Sequence, residues 1–187
     1  RSNMNKILDG INLYFDGDKA LKSKDYTSAI EKYTMAIDIG MNNPIIISII
    51  EKQQQQQQQK SKTTNNDDAS SLNWLINAYC NKAKSKLFLN DINDTIIFAE
   101  KASELSLHTS IDSFIILQEA YQNKQGSSKD DDGSIRDELH VLESLFDLLD
   151  IDDANNNNRR KNKPIMDVNK RRTLGFRLTK LQQQAIK

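Results

Sequence analysis

Apolar residues recur at spacings of three and four along much of this chain of 187 residues. Ile30, Tyr33 and Ile37 form one such row. This spacing places side chains on one face of an α-helix, whereas the alternating β-branched runs that are typical of strands are nearly absent. Only two prolines and six glycines interrupt the pattern. The sequence therefore predicts an all-α protein.

The helical pattern divides into six core segments. We expect these core helices at residues 5–23, 26–39, 72–89, 92–106, 110–124 and 135–151. Asp25, Asp91 and Ser134 each stand just before one of the helices, and Asp and Ser are residue types that cap helix N-termini. A short apolar piece after Pro44 and a tail helix at residues 168–185 complete the prediction.

Three segments have compositions unlike a packed core. They are residues 52–71 with seven consecutive glutamines, residues 122–133 with a run of aspartates, and residues 152–164 with four consecutive asparagines. Such polar segments bury too little apolar surface to offset the entropy of ordering. We expect a helical domain at residues 5–151 with low-complexity insertions at 52–71 and 122–133. A basic linker and C-terminal extension follows at residues 152–187, and its candidate capping helix is residues 168–185.

The first helix pair carries small and aromatic residues at fixed intervals, namely Gly17, Ala20, Tyr26, Ala29, Tyr33 and Ala36. The stretch GDKALKSKDYTSAIEKYTMAIDI resembles the tetratricopeptide repeat, a helix-turn-helix unit of about 34 residues, and is most similar to the co-chaperone branch of that family. Weaker matches follow in a second pair (Tyr79, Ala83, Asn90, Thr95, Ala99, Ala102) and in a third (Phe114, Leu117, Tyr121, Leu142, Phe146). The resemblance implies a short superhelix of about three repeats.

Nothing in the sequence is typical of an enzyme, a metal site or a cofactor site. Cys80 is the one cysteine, and His108 and His140 have no second ligand at metal-binding spacing. Glycine-rich phosphate loops and nucleophile elbows are absent. The longest apolar stretch is far shorter than the roughly 20 residues of a membrane-spanning helix. We expect a non-catalytic protein without a cofactor or a membrane span, located in the cytoplasm or, alternatively, in the nucleus.

The tetratricopeptide resemblance implies a concave groove that binds a peptide or a partner helix. In co-chaperones of this family, a clamp of Lys, Asn, Asn, Lys and Arg grips the C-terminal carboxylates of Hsp70 or Hsp90. The corresponding residues here are Tyr14, Asp18, Asn81, Asp112 and Ile116. Asn81 alone matches, and two carboxylates stand where an anionic ligand needs cations or amides. We expect a protein-binding adaptor or scaffold, with a co-chaperone that has a degenerate clamp as one alternative.

The zero net charge of the chain conceals two oppositely charged segments. Residues 129–153 hold ten carboxylates and two cations, whereas residues 155–187 hold ten cations and one carboxylate. The basic tail is represented by Arg159, Arg160, Lys161, Lys170, Arg171 and Arg172, which resemble a nuclear-import signal. A nuclear or nucleic-acid-associated factor that uses this tail is therefore the second alternative. The tail either folds back onto the acidic segment as a cap or stays solvated.

Overall fold

A computed structural model describes residues 2–58, 66–125, 132–156 and 166–185. These residues form eight helices: α1 (Asn3–Lys22), α2 (Tyr26–Met41), α3 (Pro44–Gln58), α4 (Asn66–Phe88), α5 (Ile92–Leu105), α6 (Ile111–Gln125), α7 (Asp132–Asn156) and α8 (Val168–Ala185). No strand occurs in these ranges, and the all-α prediction is confirmed.

The helices belong to two compact units. Residues 1–108 contain α1 to α5, and residues 109–187 contain α6 to α8. In the first unit, α1 packs on α2, α4 packs on both of them, and α5 packs on α4. In the second unit, α7 packs on α6 and on α8. The single helical domain expected at residues 5–151 stays a prediction.

The same turn joins α1 to α2 and α4 to α5. Lys24 and Asn90 adopt the left-handed backbone conformation, with φ angles of 63° and 60°. The next residue in each turn, Asp25 or Asp91, donates its backbone N–H to the carbonyl five residues earlier. The side chain of that aspartate then accepts a backbone N–H three residues later and so caps the following helix. The same pattern of hydrogen bonds therefore forms the turn in both helix pairs of the first unit.

Small residues bring the helices of the first unit close together. Ala29, Ala36, Ala83, Ala99 and Ala102 are fully buried. A Cβ atom on Gly17 would lie 2.6 Å from Cε1 of Tyr33, so the aromatic ring rests against the bare backbone of α1. A Cβ atom on Gly40 would lie 2.9 Å from Cη2 of Trp74. Glycine is thus required at both close approaches.

The described part of the glutamine-rich segment is helical, whereas the sequence predicts a low-complexity insertion at residues 52–71. α3 continues through Gln58, and α4 begins before the predicted segment ends. Asn43 starts α3, because its side-chain oxygen accepts the backbone N–H of Ile45 at 3.0 Å. Glutamine has a high helix propensity, so a helix that has already begun extends into the glutamine run. Residues 59–65 lie outside the described ranges.

The other two low-complexity segments also overlap helices. α6 ends at Gln125 and α7 begins at Asp132, both inside the insertion predicted at residues 122–133. α7 continues to Asn156, inside the third segment. The residues of these segments that lie outside the description are 126–131 and 157–164.

α8 lies on α7 through apolar and charged contacts. Leu142, Leu145 and Leu181 are fully buried, and Leu174 is nearly so. Three ion pairs join cations of α8 to carboxylates of α6 and α7: Lys170 to Glu119 at 3.4 Å, Arg171 to Asp150 at 2.7 Å, and Arg177 to Glu138 at 2.7 Å. In the structure, the described part of the basic tail therefore folds back onto the acidic segment.

The carboxylate of Glu138 is the most buried charge in this contact, because no part of the residue is exposed. Arg177 binds it in a bidentate manner, with Nε 2.9 Å from Oε1 and Nη2 2.7 Å from Oε2. Gln118 donates a third hydrogen bond to Oε1 at 3.0 Å. The hydrogen bond to Glu138 raises the pKa of Arg177 above its usual value, against the effect of burial. This pair ties α8 to α7.

We predict that Arg177→Ala destabilises the second unit by about 3–5 kcal/mol, because the buried charge of Glu138 loses its cation. Adding Glu138→Gln to that variant should recover part of the loss, since the uncompensated charge is then removed. Arg172→Ala, which removes an exposed cation from the same helix, is the control and should change stability little. Native-state hydrogen exchange of α7 and α8 measures all three. Unchanged hydrogen-exchange protection of α7 and α8 in Arg177→Ala would contradict the proposed role of this ion pair.

Candidate functional site

The half-buried carboxylate of Asp18 is the centre of a polar cluster that joins three helices. Asp18 and Tyr14 lie on α1, Tyr33 on α2 and Asn81 on α4. The Tyr33 hydroxyl donates to Oδ1 of Asp18 at 2.6 Å, and Nδ2 of Asn81 donates to the same oxygen at 2.9 Å. In addition to burial, the charge of Asp18 raises the pKa of Tyr14, which lies close to this carboxylate. We call these four residues the Asp18 cluster.

Local sequence explains how the Asp18 cluster assembles. Tyr14 and Asp18 are four residues apart, so they share one face of α1. Gly17 gives the ring of Tyr33 room to cross against α1, and its hydroxyl then reaches Asp18. The rings of Tyr14 and Tyr33 lie side by side, with centroids 6.2 Å apart. The close approach of two helices thus fixes the positions of both tyrosines.

Neutral groups supply the hydrogen bonds named for Asp18. The ion pairs found among the described residues do not include it. Burial, followed by the charge of Asp18, raises the pKa of Tyr14 to about 12. Burial, followed by the hydrogen bond to Asp18, also raises the pKa of Tyr33. Both tyrosines therefore remain protonated donors at neutral pH, and the cluster presents an anionic surface.

An exposed apolar row leads along α1 to Asp18. Met4, Leu8, Ile11 and Phe15 follow one another at helical spacing on the side of α1 that also carries Asp18. More than half of the surface of Met4, Leu8 and Phe15 is accessible, with exposed fractions of 59%, 54% and 54%. We call these four residues the α1 row. Clustered exposed apolar side chains are typical of interaction surfaces.

A row of amides follows the neighbouring helix. Asn73, Asn77 and Asn81 are spaced four residues apart and share one side of α4. Asn81 binds Asp18, so the row adjoins the Asp18 cluster. A side-chain amide both donates and accepts hydrogen bonds, as a peptide backbone requires. The two helices together can therefore hold a segment of another protein, with a carboxylate where the rows meet.

The structure brings together three of the five residues predicted for the groove. Tyr14, Asp18 and Asn81 are all in the cluster. Asp112 is exposed in the first turn of α6, and Ile116 of the same helix is buried. Both belong to the second unit. Their membership of a groove with the first three residues stays a prediction.

The basic tail residues fall partly within the described ranges. Arg159, Arg160 and Lys161 lie outside them. Lys170 and Arg171 pair with carboxylates of the second unit, as described above. Arg172 is exposed, and its guanidinium carbon lies 5.7 Å from the centre of the Phe176 ring.

Sequence reasoning did not identify Tyr33, Asn73, Asn77 or the α1 row as parts of this site. Sequence reasoning placed Tyr33 only among the small and aromatic positions of the first helix pair, although its hydroxyl binds Asp18. It did not consider Asn73 and Asn77. The spacing of four between the asparagines was a usable signal, because it places equal side chains on one helix face.

The described ranges show no group of three or more His, Cys, Asp or Glu side chains arranged to hold a metal ion. Within the same ranges, no single helix has the length and apolarity to span a membrane; α2 and α3 together pass that test, but they are bent by 74° at their junction. Cys80 is buried.

Comparison with models of known protein families finds no match to this chain, and comparison with curated proteins finds no similar sequence.

We predict that Asp18→Asn lowers the pKa of Tyr14 from about 12 part of the way towards 10.0. The change removes the carboxylate charge, whereas burial, the largest cause of the shift, remains. Because folding raises this pKa, protonated Tyr14 makes its full contribution to the free energy of unfolding below pH 10. This contribution is lost as the pH rises towards 12. A pH titration of phenolate absorbance, together with unfolding free energies over that range, measures both effects. Asp16→Asn is the control, and an equal shift in both variants would contradict the assignment.

Proposed function

We propose that this chain is a non-catalytic interaction module that binds a peptide or helix of a partner protein along α1 and α4. The observation that carries the proposal is the exposed α1 row, which ends at the Asp18 cluster. Burying apolar side chains of this size on binding is favourable by about 25 cal/mol per Å² of apolar area. Amides and a carboxylate beside the row supply the polar contacts that set orientation.

The resemblance of the sequence to the tetratricopeptide repeat also supports this proposal. Gly17 and Tyr33 make the close helix contact that the small and aromatic positions imply. Helices α1 and α4 are the first helices of the two pairs, and these helices line the groove in the family. The repeated turn at Lys24 and Asn90 agrees with a repeated unit. An adaptor or scaffold role follows from such a groove.

The charge of the site argues against the co-chaperone alternative. A chaperone tail presents carboxylates, whereas Asp18 presents a carboxylate in place of an amide. Like charges oppose association. The remaining match, Asn81, already donates to Asp18. The proposal is therefore a peptide-binding module whose ligand is not an acidic C-terminus.

Selection of random peptides displayed on phage against the full chain tests the proposed function. We predict that the selected peptides perturb amide NMR signals of α1 and α4. Phe15→Ala should weaken their binding about tenfold, as expected for an interface aromatic. Ile97→Ala, on the similarly exposed Ile97 of α5, is the matched control and should have no effect. Peptides that bind elsewhere, or that ignore Phe15, would overturn the proposal.

A peptide that ends in the acidic chaperone tail should bind weakly or not at all. The reason is the repulsion between its carboxylates and Asp18. Isothermal titration against the full chain measures this affinity. Micromolar binding that is abolished by Asn81→Ala would show that the electrostatic argument is wrong.

A further inference from the structure

We infer that the partner segment places a lysine or arginine side chain on Asp18, so that the site selects basic peptides. This inference rests on the proposed function, and it adds the chemical class of the ligand. Asp18 is an acidic residue, whereas the groups that donate to it, a hydroxyl and an amide, are neutral.

Asp18 retains capacity to accept hydrogen bonds. Oδ1 takes donors from Tyr33 at 2.6 Å and Asn81 at 2.9 Å. An ionised carboxylate has about four acceptor positions, and these two bonds use two of them. A cationic N–H group is the donor that best completes such a set, because its hydrogen bond to a carboxylate is about twice as strong as a neutral one.

Aromatic rings beside the carboxylate favour a cation further. The ring centroids of Tyr14 and Phe15 are 5.2 Å apart, and Tyr33 lies next to Tyr14. Ring faces attract ammonium and guanidinium groups. The aliphatic stem of a lysine or arginine can lie along exposed Phe15 while its charged end reaches Asp18. One side chain thereby satisfies both the apolar and the anionic part of the surface.

The site is already ordered for this contact. Hydrogen bonds from Tyr33 of α2 and Asn81 of α4 hold the carboxylate, so binding a cation requires little rearrangement of the protein. An uncharged isostere would gain the apolar contacts but not the charge-assisted bond. A glutamate would be repelled. We therefore expect peptides with lysine or arginine to bind most tightly, the peptide with norleucine less tightly, and the peptide with glutamate least tightly.

The experiment uses short peptides, acetylated and amidated at their ends, with leucines flanking one variable position. That position is lysine, arginine, norleucine or glutamate. Each peptide is titrated into the full chain, and binding is followed by the amide NMR signals of α1 and α4. We expect the lysine and arginine peptides to bind at least about fivefold more tightly than the norleucine peptide, with the preference reduced by added salt.

Asp18→Asn should remove this preference, and Asp16→Asn, which changes the same charge on an exposed side chain of the same helix, should keep it. The norleucine comparison uses the unmodified protein, so it decides the question even if Asp18→Asn fails to fold. Equal binding of lysine and norleucine peptides at α1 and α4 would overturn the inference while leaving the proposed function intact. Absence of binding by all four peptides would overturn the inference too, whereas the proposed function is decided by the phage selection and the Phe15→Ala comparison.

Discussion

The contact between the backbone of Gly17 and the ring of Tyr33 positions the candidate site. Tyr33 is fully buried against α1, and the bare glycine lets α2 come close enough for the tyrosine hydroxyl to reach Asp18. Asn81 of α4 then binds the same carboxylate oxygen. A methyl group on Gly17 would have to displace a ring packed on all sides, and interiors at this density resist such shifts. The same close packing of the three helices therefore also determines the geometry of the Asp18 cluster.

Two carboxylates in this chain meet opposite electrostatic conditions. Glu138 is fully buried, and the guanidinium of Arg177 neutralises it with paired hydrogen bonds. Asp18 is only half-buried, and the hydrogen bonds named for it come from hydroxyl and amide groups. A fully buried charge needs a counter-ion, whereas partial access to water lets a charge persist with neutral donors. The first arrangement fixes a helix in place, and the second leaves an anionic surface.

Contacts within a helix were largely predictable, and contacts between helices were not. Periodicity located the helices, and Asp25 and Asp91 were correctly expected as caps, because both signals depend on neighbouring residues. The glutamine run was expected as an insertion because its composition cannot form a core, yet a helix needs no core to extend from a start at Asn43. The bond from Tyr33 to Asp18 was missed because it depends on how α2 crosses α1. Asn81 was identified through the family register, but its partner was not.

The exposed α1 row gives the main physical argument for the proposed binding of a partner by the first unit. Met4, Leu8 and Phe15 stay accessible although α2 and α4 already pack on α1. Folding of this unit gains little from these three side chains, because each keeps more than half of its surface in water. A partner segment that covers them recovers that burial on a helix that is already formed, so the protein itself loses little conformational entropy on binding. In the proposed complex, the α1 row supplies affinity in this way, and the adjacent carboxylate of Asp18, whose attraction for a cation is weakened by salt, supplies the selectivity.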